Sequence, residues 1–180
     1  MCKRKEKNPY DELWISLVKR VHRTKRGFYK LNEDEKTYYL LNLFEGSVYN
    51  GGMYGYFSNT SGNLYEELIE VLKRENLIQA LELLINAKNI LFDEATPPKD
   101  HWERNLLMKQ LPKDNNMPKP EWDIELEEIE TEFYKNSDGL IDFMVKFADE
   151  KGLIQKYRYS KIQRIKNFFT SFLWCKKPKI

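Results

Sequence analysis

Gly46-Ser47-Val48-Tyr49-Asn50-Gly51-Gly52-Met53-Tyr54-Gly55-Tyr56-Phe57-Ser58-Asn59-Thr60-Ser61-Gly62 is the one stretch of this chain that does not read as helix. It holds five of the eight glycines, at 46, 51, 52, 55 and 62. Asn50-Gly51-Gly52 is a strong turn signal, because Asn and Gly both tolerate the positive φ that most residues avoid. In Asn59 to Asn63, side-chain oxygens can satisfy the free N–H groups that open the next helix. Between the two turns Met53, Tyr54, Tyr56 and Phe57 supply large apolar surface. Two readings follow. One is a rigid elbow clamping a short aromatic piece between helices. The other is a ligand or partner pocket, since clustered glycines let another molecule approach the backbone. Turn chemistry alone accounts for the residue types, which favours the elbow.

Working outward, both flanks carry apolar residues at helical spacing. Asn8-Pro9 places a capping residue before a proline at the first helical position. The stripe Leu13, Leu17, Val21 follows, widened by Trp14 and Val18. Asn32 and Glu35 form a capping box for a helix running to about Glu45. Downstream, Asn63 with Glu66 and Asn76 with Gln79 are expected to cap two more helices. Thr96-Pro97-Pro98 opens a short one through Trp102, Leu106 and Leu107, ended by Pro112. Three prolines among residues 112–120 mark a loop. Glu121 to Tyr134 reads as an acidic helix, Asn136 to Gly139 as a turn and Leu140 to Glu150 as another helix stopped by Lys151-Gly152. A last helix spans about Tyr159 to Trp174, with Ile162, Ile165, Phe169 and Phe172 in one stripe. Runs of β-branched residues, which a βαβ pattern needs, do not occur. The expectation is an all-α fold, a single helical domain of about eight or nine helices.

At 180 residues, 41% hydrophobic and 14% aromatic, the chain can build a real core, which excludes wholesale disorder. No apolar run reaches a membrane-spanning length of about 18 residues, and Lys3-Arg4-Lys5 is not followed by the apolar region of a signal peptide. Cys2 and Cys175 read as two free thiols, so the expected compartment is the reducing cytoplasm. The net charge of +2 conceals an asymmetry: residues 1–30 carry +7, residues 31–152 carry −13 and residues 153–180 carry +8. The chain is therefore read as a basic N-terminal helix and loop (1–30), an acidic helical body (31–152) and a basic amphipathic C-terminal helix (153–180). Such asymmetry speaks about partners.

Glu45 to Gly52 followed by Tyr56 to Gly62 resembles the signature of the bacterial DNA mimic protein 19 family. That signature reads approximately E-x-x-V-x-N-G-G-F-x-Q-[FY]-F-x-N-S-S-G, and its positions here include Asn50, Gly51, Gly52, Tyr56, Phe57, Asn59, Ser61 and Gly62. Further matches are Glu66, Glu67 and Leu72, then Pro97-Pro98 with Arg104, then the Glu-rich stretch to Glu132-Phe133-Tyr134 and the helix from Asp138. The resemblance covers about residues 31–150. Met53 replaces the usual Phe, Gly55 stands where Gln is usual, and Thr60 replaces Ser; the basic ends lie outside the pattern. The resemblance implies an all-α fold and no known catalytic activity. For the eponymous branch it implies an acidic surface that imitates duplex DNA and occupies the DNA-binding face of a transcription factor.

The charges needed for such mimicry cluster in the helix from Glu121. Trp122, Leu126, Ile129 and Phe133 form its apolar stripe. Glu121, Glu125, Glu128 and Glu132 line one flank; Asp123, Glu127 and Glu130 line the other. These seven carboxylates span roughly 16 Å at 1.5 Å per residue, about one charge per 2.4 Å. Duplex DNA carries about one per 1.7 Å. The alternative is a solvated amphipathic helix with many glutamates, a common feature; such a surface more often intersperses lysines, because like charges at i, i+4 repel, and residues 121–134 contain none.

No HExxH, GxSxG, phosphate-loop or dinucleotide fingerprint occurs. His22 and His101 read as surface histidines. No catalytic residue, metal ligand or cofactor is expected. The leading expectation is a non-catalytic interaction protein presenting its acidic body to a basic protein partner, a transcription factor or a toxin. The acidic body itself would not bind DNA, no membrane span is expected, and a homo-oligomer remains compatible. One alternative is a small-molecule binder or enzyme using Tyr49, Asn50, Tyr56 and Asn59 within residues 49–62. Another is contact of the basic C-terminal helix with nucleic acid or an anionic membrane; against it, that helix could fold back onto the acidic body.

Overall fold

The computed structural model describes residues 8–112, 118–158 and 160–162. The elements are α1 (Pro9–His22), a 3-10 turn (Phe28–Lys30), α2 (Glu33–Ser58), a second 3-10 turn (Thr60–Leu64), α3 (Tyr65–Arg74), α4 (Ile78–Phe92), α5 (His101–Met108) and α6 (Glu121–Glu150). Residues 153–158 are also helical, and no strand occurs among the described residues, so the fold is all-α. The chain divides into two compact units, residues 1–35 with 145–180, and residues 36–144.

In the first unit the capping chemistry works as its residue types predict. Asn8 Oδ1 accepts from Tyr10 N (3.0 Å), with Pro9 at the helix start. Asn32 and Glu35 close a reciprocal box: Glu35 N donates to Asn32 Oδ1 (2.9 Å) and Asn32 N to Glu35 Oε2 (3.2 Å). Arg20 grips the same carboxylate through both terminal nitrogens, at 2.5 and 2.9 Å. Gly152 sits at φ 62, where α6 stops. Leu13, Leu17, Phe28, Leu31, Phe147, Ala148, Leu153 and Ile154 are buried. Lys161 of the basic C-terminal segment reaches Glu12 (3.0 Å), and Lys151 just before that segment reaches Asp34 (3.8 Å), both acids of the same unit. The rest of the expected helix from Tyr159 to Trp174 lies outside the described residues.

The second unit departs from expectation at four places, each for a local reason. The glycine stretch is helical: α2 runs to Ser58 and is broken only at Gly52 (φ 66, ψ −172), so two helical arms meet at one residue. Asn63 does not cap α3; Leu64 occupies that position, and Asn63 Oδ1 is taken by Arg104. Asn76 ends α3 rather than starting α4. It lies at φ 56 while Leu77 N donates to Leu72 O (2.9 Å), the closure that favours Asn or Gly in left-handed conformation. The turn expected at Asn136 to Gly139 is absent: Phe133, Ser137, Leu140 and Met144 are buried at helical spacing along one continuous helix, and Asn136 Nδ2 and Ser137 Oγ bond back to Glu132 O (2.8 Å) and Tyr134 O (2.9 Å) within it. The helix from Asp100 buries Arg104 and Met108, and its Trp102, Leu106 and Leu107 are exposed. The core of this unit gathers Leu41, Phe44, Val48, Met53, Tyr56 and Phe57 of α2 with Leu68, Leu72, Leu84, Leu126 and Phe133.

Two glycines a turn apart therefore behave oppositely. A Cβ at Gly55 meets nothing within 4 Å, although the residue is buried, whereas one at Gly52 lies 2.2 Å from Glu130 Oε1. Gly55→Ala should raise stability by about 0.5–1 kcal/mol, since it only removes chain entropy from a helix. Gly52→Ala should lower it by about 1–3 kcal/mol from the backbone conformation alone, which is nearly confined to glycine. Urea denaturation of both variants reads the two signs; equal effects would remove the break from its role.

Candidate functional site

The break at Gly52 frees the N–H groups that begin the second arm of α2, and a carboxylate from far along the chain answers them. Met53 N donates to Glu130 Oε1 at 2.7 Å. A negative group at a helix start also suits the helix dipole. Because Gly52 has no side chain, the carboxylate lies directly over its Cα. Burial pushes the Glu130 carboxyl above its ordinary value; the Met53 N–H opposes that shift, and neighbouring Asp123 and Glu127 add to it.

The far end of α2 is held by a cation. Arg104 on α5 is fully buried. Its Nε donates to Phe57 O (2.6 Å), Nη1 to Pro98 O (2.6 Å) and Lys99 O (2.8 Å), and Nη2 to Asn59 O (2.7 Å) and Asn63 Oδ1 (2.8 Å). A guanidinium has five N–H donors, and each has an acceptor here. Burial lowers the pKa of Arg104, but a guanidinium does not deprotonate in a protein. Gly62 leaves room for it, since a Cβ there would stand 3.1 Å from Arg104 Nε. Ser61 Oγ closes the turn onto Tyr56 O (2.9 Å). The Tyr56 hydroxyl is buried with no hydrogen-bond partner among the described residues, and burial drives its pKa up.

These contacts place every signature residue. Gly52, Tyr56, Phe57, Ser61 and Gly62 are buried; Asn50, Gly51 and Asn59 are exposed. Asn50 Nδ2 bonds back to Gly46 O (2.6 Å). Aromatic pairs fasten the arms of α2 to α6: Phe44 with Phe133, Tyr54 stacked on Trp122, and Tyr49 edge-on to Tyr134. Tyr134 OH donates to Val48 O (3.1 Å), and Tyr49 OH bonds Ser137 Oγ (2.9 Å). Gly52 and Gly62 are thus covered by the protein's own Glu130 and Arg104. No group of three or more His, Cys, Asp or Glu suited to a metal occurs among the described residues. His22 is exposed, and His101 lies beside the Trp102 ring.

Along α6 the two acidic flanks differ. Glu121, Glu125, Glu128 and Glu132 are all exposed. Glu132 accepts from Asn136 Nδ2 (2.7 Å) and Gln79 Nε2 (3.4 Å), and none of the four has an ion pair among the described residues. On the other flank Asp123 and Glu130 are half-buried, and Glu127 is paired with Lys119. The roles of Arg104 and Glu130 were missed from sequence. Arg104 falls on a short helix whose Trp102, Leu106 and Leu107 are exposed, and Glu130 is one glutamate among many.

An all-α helical domain, jointed at a glycine and bearing an exposed carboxylate row, is the class these features define. The family model described as DMP19-like protein matches residues 29–151, and the chain belongs to that family. No curated protein and no solved structure matches it.

Arg104→Lys should destabilise the fold by about 2–5 kcal/mol, because an ammonium has three donors and leaves buried carbonyls unpaired at about 1–3 kcal/mol each. A urea midpoint near that of the parent would refute this. Glu130→Gln keeps an acceptor for Met53 N–H and removes the charge. A raised folded-state pKa means that the folded protein holds a proton the unfolded chain has already lost. Stability from this group is therefore present at acid pH and lost as pH rises through its folded pKa. The parent should accordingly lose melting temperature relative to Glu130→Gln between mildly acid and neutral pH; parallel curves would overturn the assignment.

Proposed function

We propose that this protein is a non-catalytic interaction protein that offers the exposed row Glu121, Glu125, Glu128 and Glu132 to a basic protein surface, acting as a DNA mimic that blocks a DNA-binding regulator. The observation that carries this reading is the row itself. Its four carboxylates rise along one helix face at steps of three or four residues, solvent-exposed and unpaired among the described residues. A protein face that exchanges counterions for phosphate meets similar terms on such a row. Family membership supports the reading, because the fold belongs to DMP19-like proteins. Glu127 and Glu130 are engaged within the protein, so they contribute shape and field rather than contacts.

The test is capture of partners from the source cell's lysate on the parent protein, with and without excess duplex DNA. A DNA-binding regulator should be recovered and displaced by DNA. Reversing all four glutamates to lysine should weaken its binding by at least about tenfold, 1.4 kcal/mol, while the circular dichroism spectrum stays helical. Raising the salt should weaken parental binding in the same direction. Binding that survives both charge reversal and salt would remove the electrostatic basis of the proposal.

A further inference from the structure

One cavity adjoins this row. A pocket of about 320 Å³ lies between the start of α4 and the middle of α6. Leu83, Phe133 and Leu140 form its apolar walls, and Gln79 and Asn136, which also line it, both donate to Glu132. Ile78 stands beside them 47% exposed, an apolar side chain left in water at the rim. The volume is at the small end of ligand sites, roughly 300–1,000 Å³, and suits one large side chain. The apolar walls disfavour a buried charge. The uncapped start of α4 presents the positive end of its dipole, which disfavours a cation inside. Glu132 at the mouth disfavours an anion. What satisfies all three is an apolar group that enters the pocket while a cation remains outside on Glu132.

We infer that this pocket is the anchor site of the partner interface: it takes one large apolar side chain from a basic segment of the partner, whose lysine or arginine pairs with Glu132 and whose further cations follow Glu128 and Glu125. This rests on the function proposed above and adds to it the chemistry of the partner segment. Interfaces commonly concentrate their affinity in one such buried anchor ringed by polar contacts. Duplex DNA offers no equivalent side chain, so the pocket would give the partner a reason to prefer this protein over DNA.

The probe is an alanine-based helical peptide with one phenylalanine and a lysine one turn to either side, compared with its Phe→Ala version by amide chemical-shift titration. The phenylalanine peptide should bind about tenfold more tightly, the scale of burying one large side chain. Its largest shifts should fall on Gln79, Leu83, Asn136 and Leu140. Ala80→Phe, which fills the pocket from its own wall, should abolish that tenfold difference while leaving the salt-sensitive binding of both peptides. Should this variant fail to fold, the peptide pair on the parent protein still decides. Equal, salt-sensitive binding of the two peptides overturns the anchor and leaves the acidic row standing. No binding of either overturns both. Phenethylammonium binding as tightly as the peptide would assign the pocket to a free amine instead. Self-association relieved by Ala80→Phe would assign it to a second copy, and either result overturns the inference.

Discussion

The second unit depends on one guanidinium having an acceptor for each of its five donors. Arg104 draws together the end of α2 through Phe57 O and Asn59 O, the turn before α3 through Asn63, and the Pro98-Lys99 approach to α5. Four of these acceptors are backbone carbonyls, so the site recognises chain path rather than side-chain identity. Carbonyls at the end of a helix also carry the negative end of its dipole, which suits a cation. A neutral side chain of the same volume would leave the buried Phe57 O and the part-buried carbonyls of Pro98, Lys99 and Asn59 without this donor, at its most costly for Phe57 O. A lysine would bring the charge without the fork.

Glu130 is the counterpart at the other end of the same arm. From Met53 to Ser58 the arm is only six residues long, too short to hold itself as a helix. It persists because a carboxylate stands at its start and a guanidinium at its end. The inward Glu130 also fixes the rotation of α6. At about 100° per residue, Glu121, Glu125, Glu128 and Glu132 all lie roughly 140–200° around the helix from it. Pinning one glutamate over Gly52 thus obliges the other four to face solvent. The acidic row and the glycine joint are two consequences of one helix orientation.

Much of this was legible in the sequence wherever both partners of an interaction lie within a few residues. The Asn8-Pro9 start, the Asn32 and Glu35 box and the Gly152 stop are local devices, and each works as its spelling suggests. The glycine stretch was misread because glycine density signals a loop, whereas helical hydrogen bonding passes through Gly46, Gly51 and Gly55 and yields only at Gly52. What decides between those outcomes is Glu130, 77 residues away, which no local rule can see. Asn76 and Asn63 carry the right chemistry for caps, but one is used to end the preceding helix and the other to receive Arg104. Asn and Ser at 136 and 137 spell a turn as readily as a helix, and the choice is resolved by the face Phe133, Ser137, Leu140 and Met144, buried at helical spacing through the segment.

The same contrast separates the charges that hold the fold from those left in solvent. Among the described residues of the basic unit, Arg20, Lys151 and Lys161 find Glu35, Asp34 and Glu12 in that unit. In the acidic unit, Arg104 and Glu130 are spent on the backbone, and Glu127 on Lys119. Exposed ion pairs add little to stability, so pairing the α6 row would have gained the fold little. Leaving it unpaired costs a few tenths of a kcal/mol per neighbouring pair in like-charge repulsion. A basic surface docking on the row relieves that repulsion on binding. On the function proposed, the free protein would be slightly strained in the direction of that complex, and the adjoining pocket would supply the shape that charge alone does not specify.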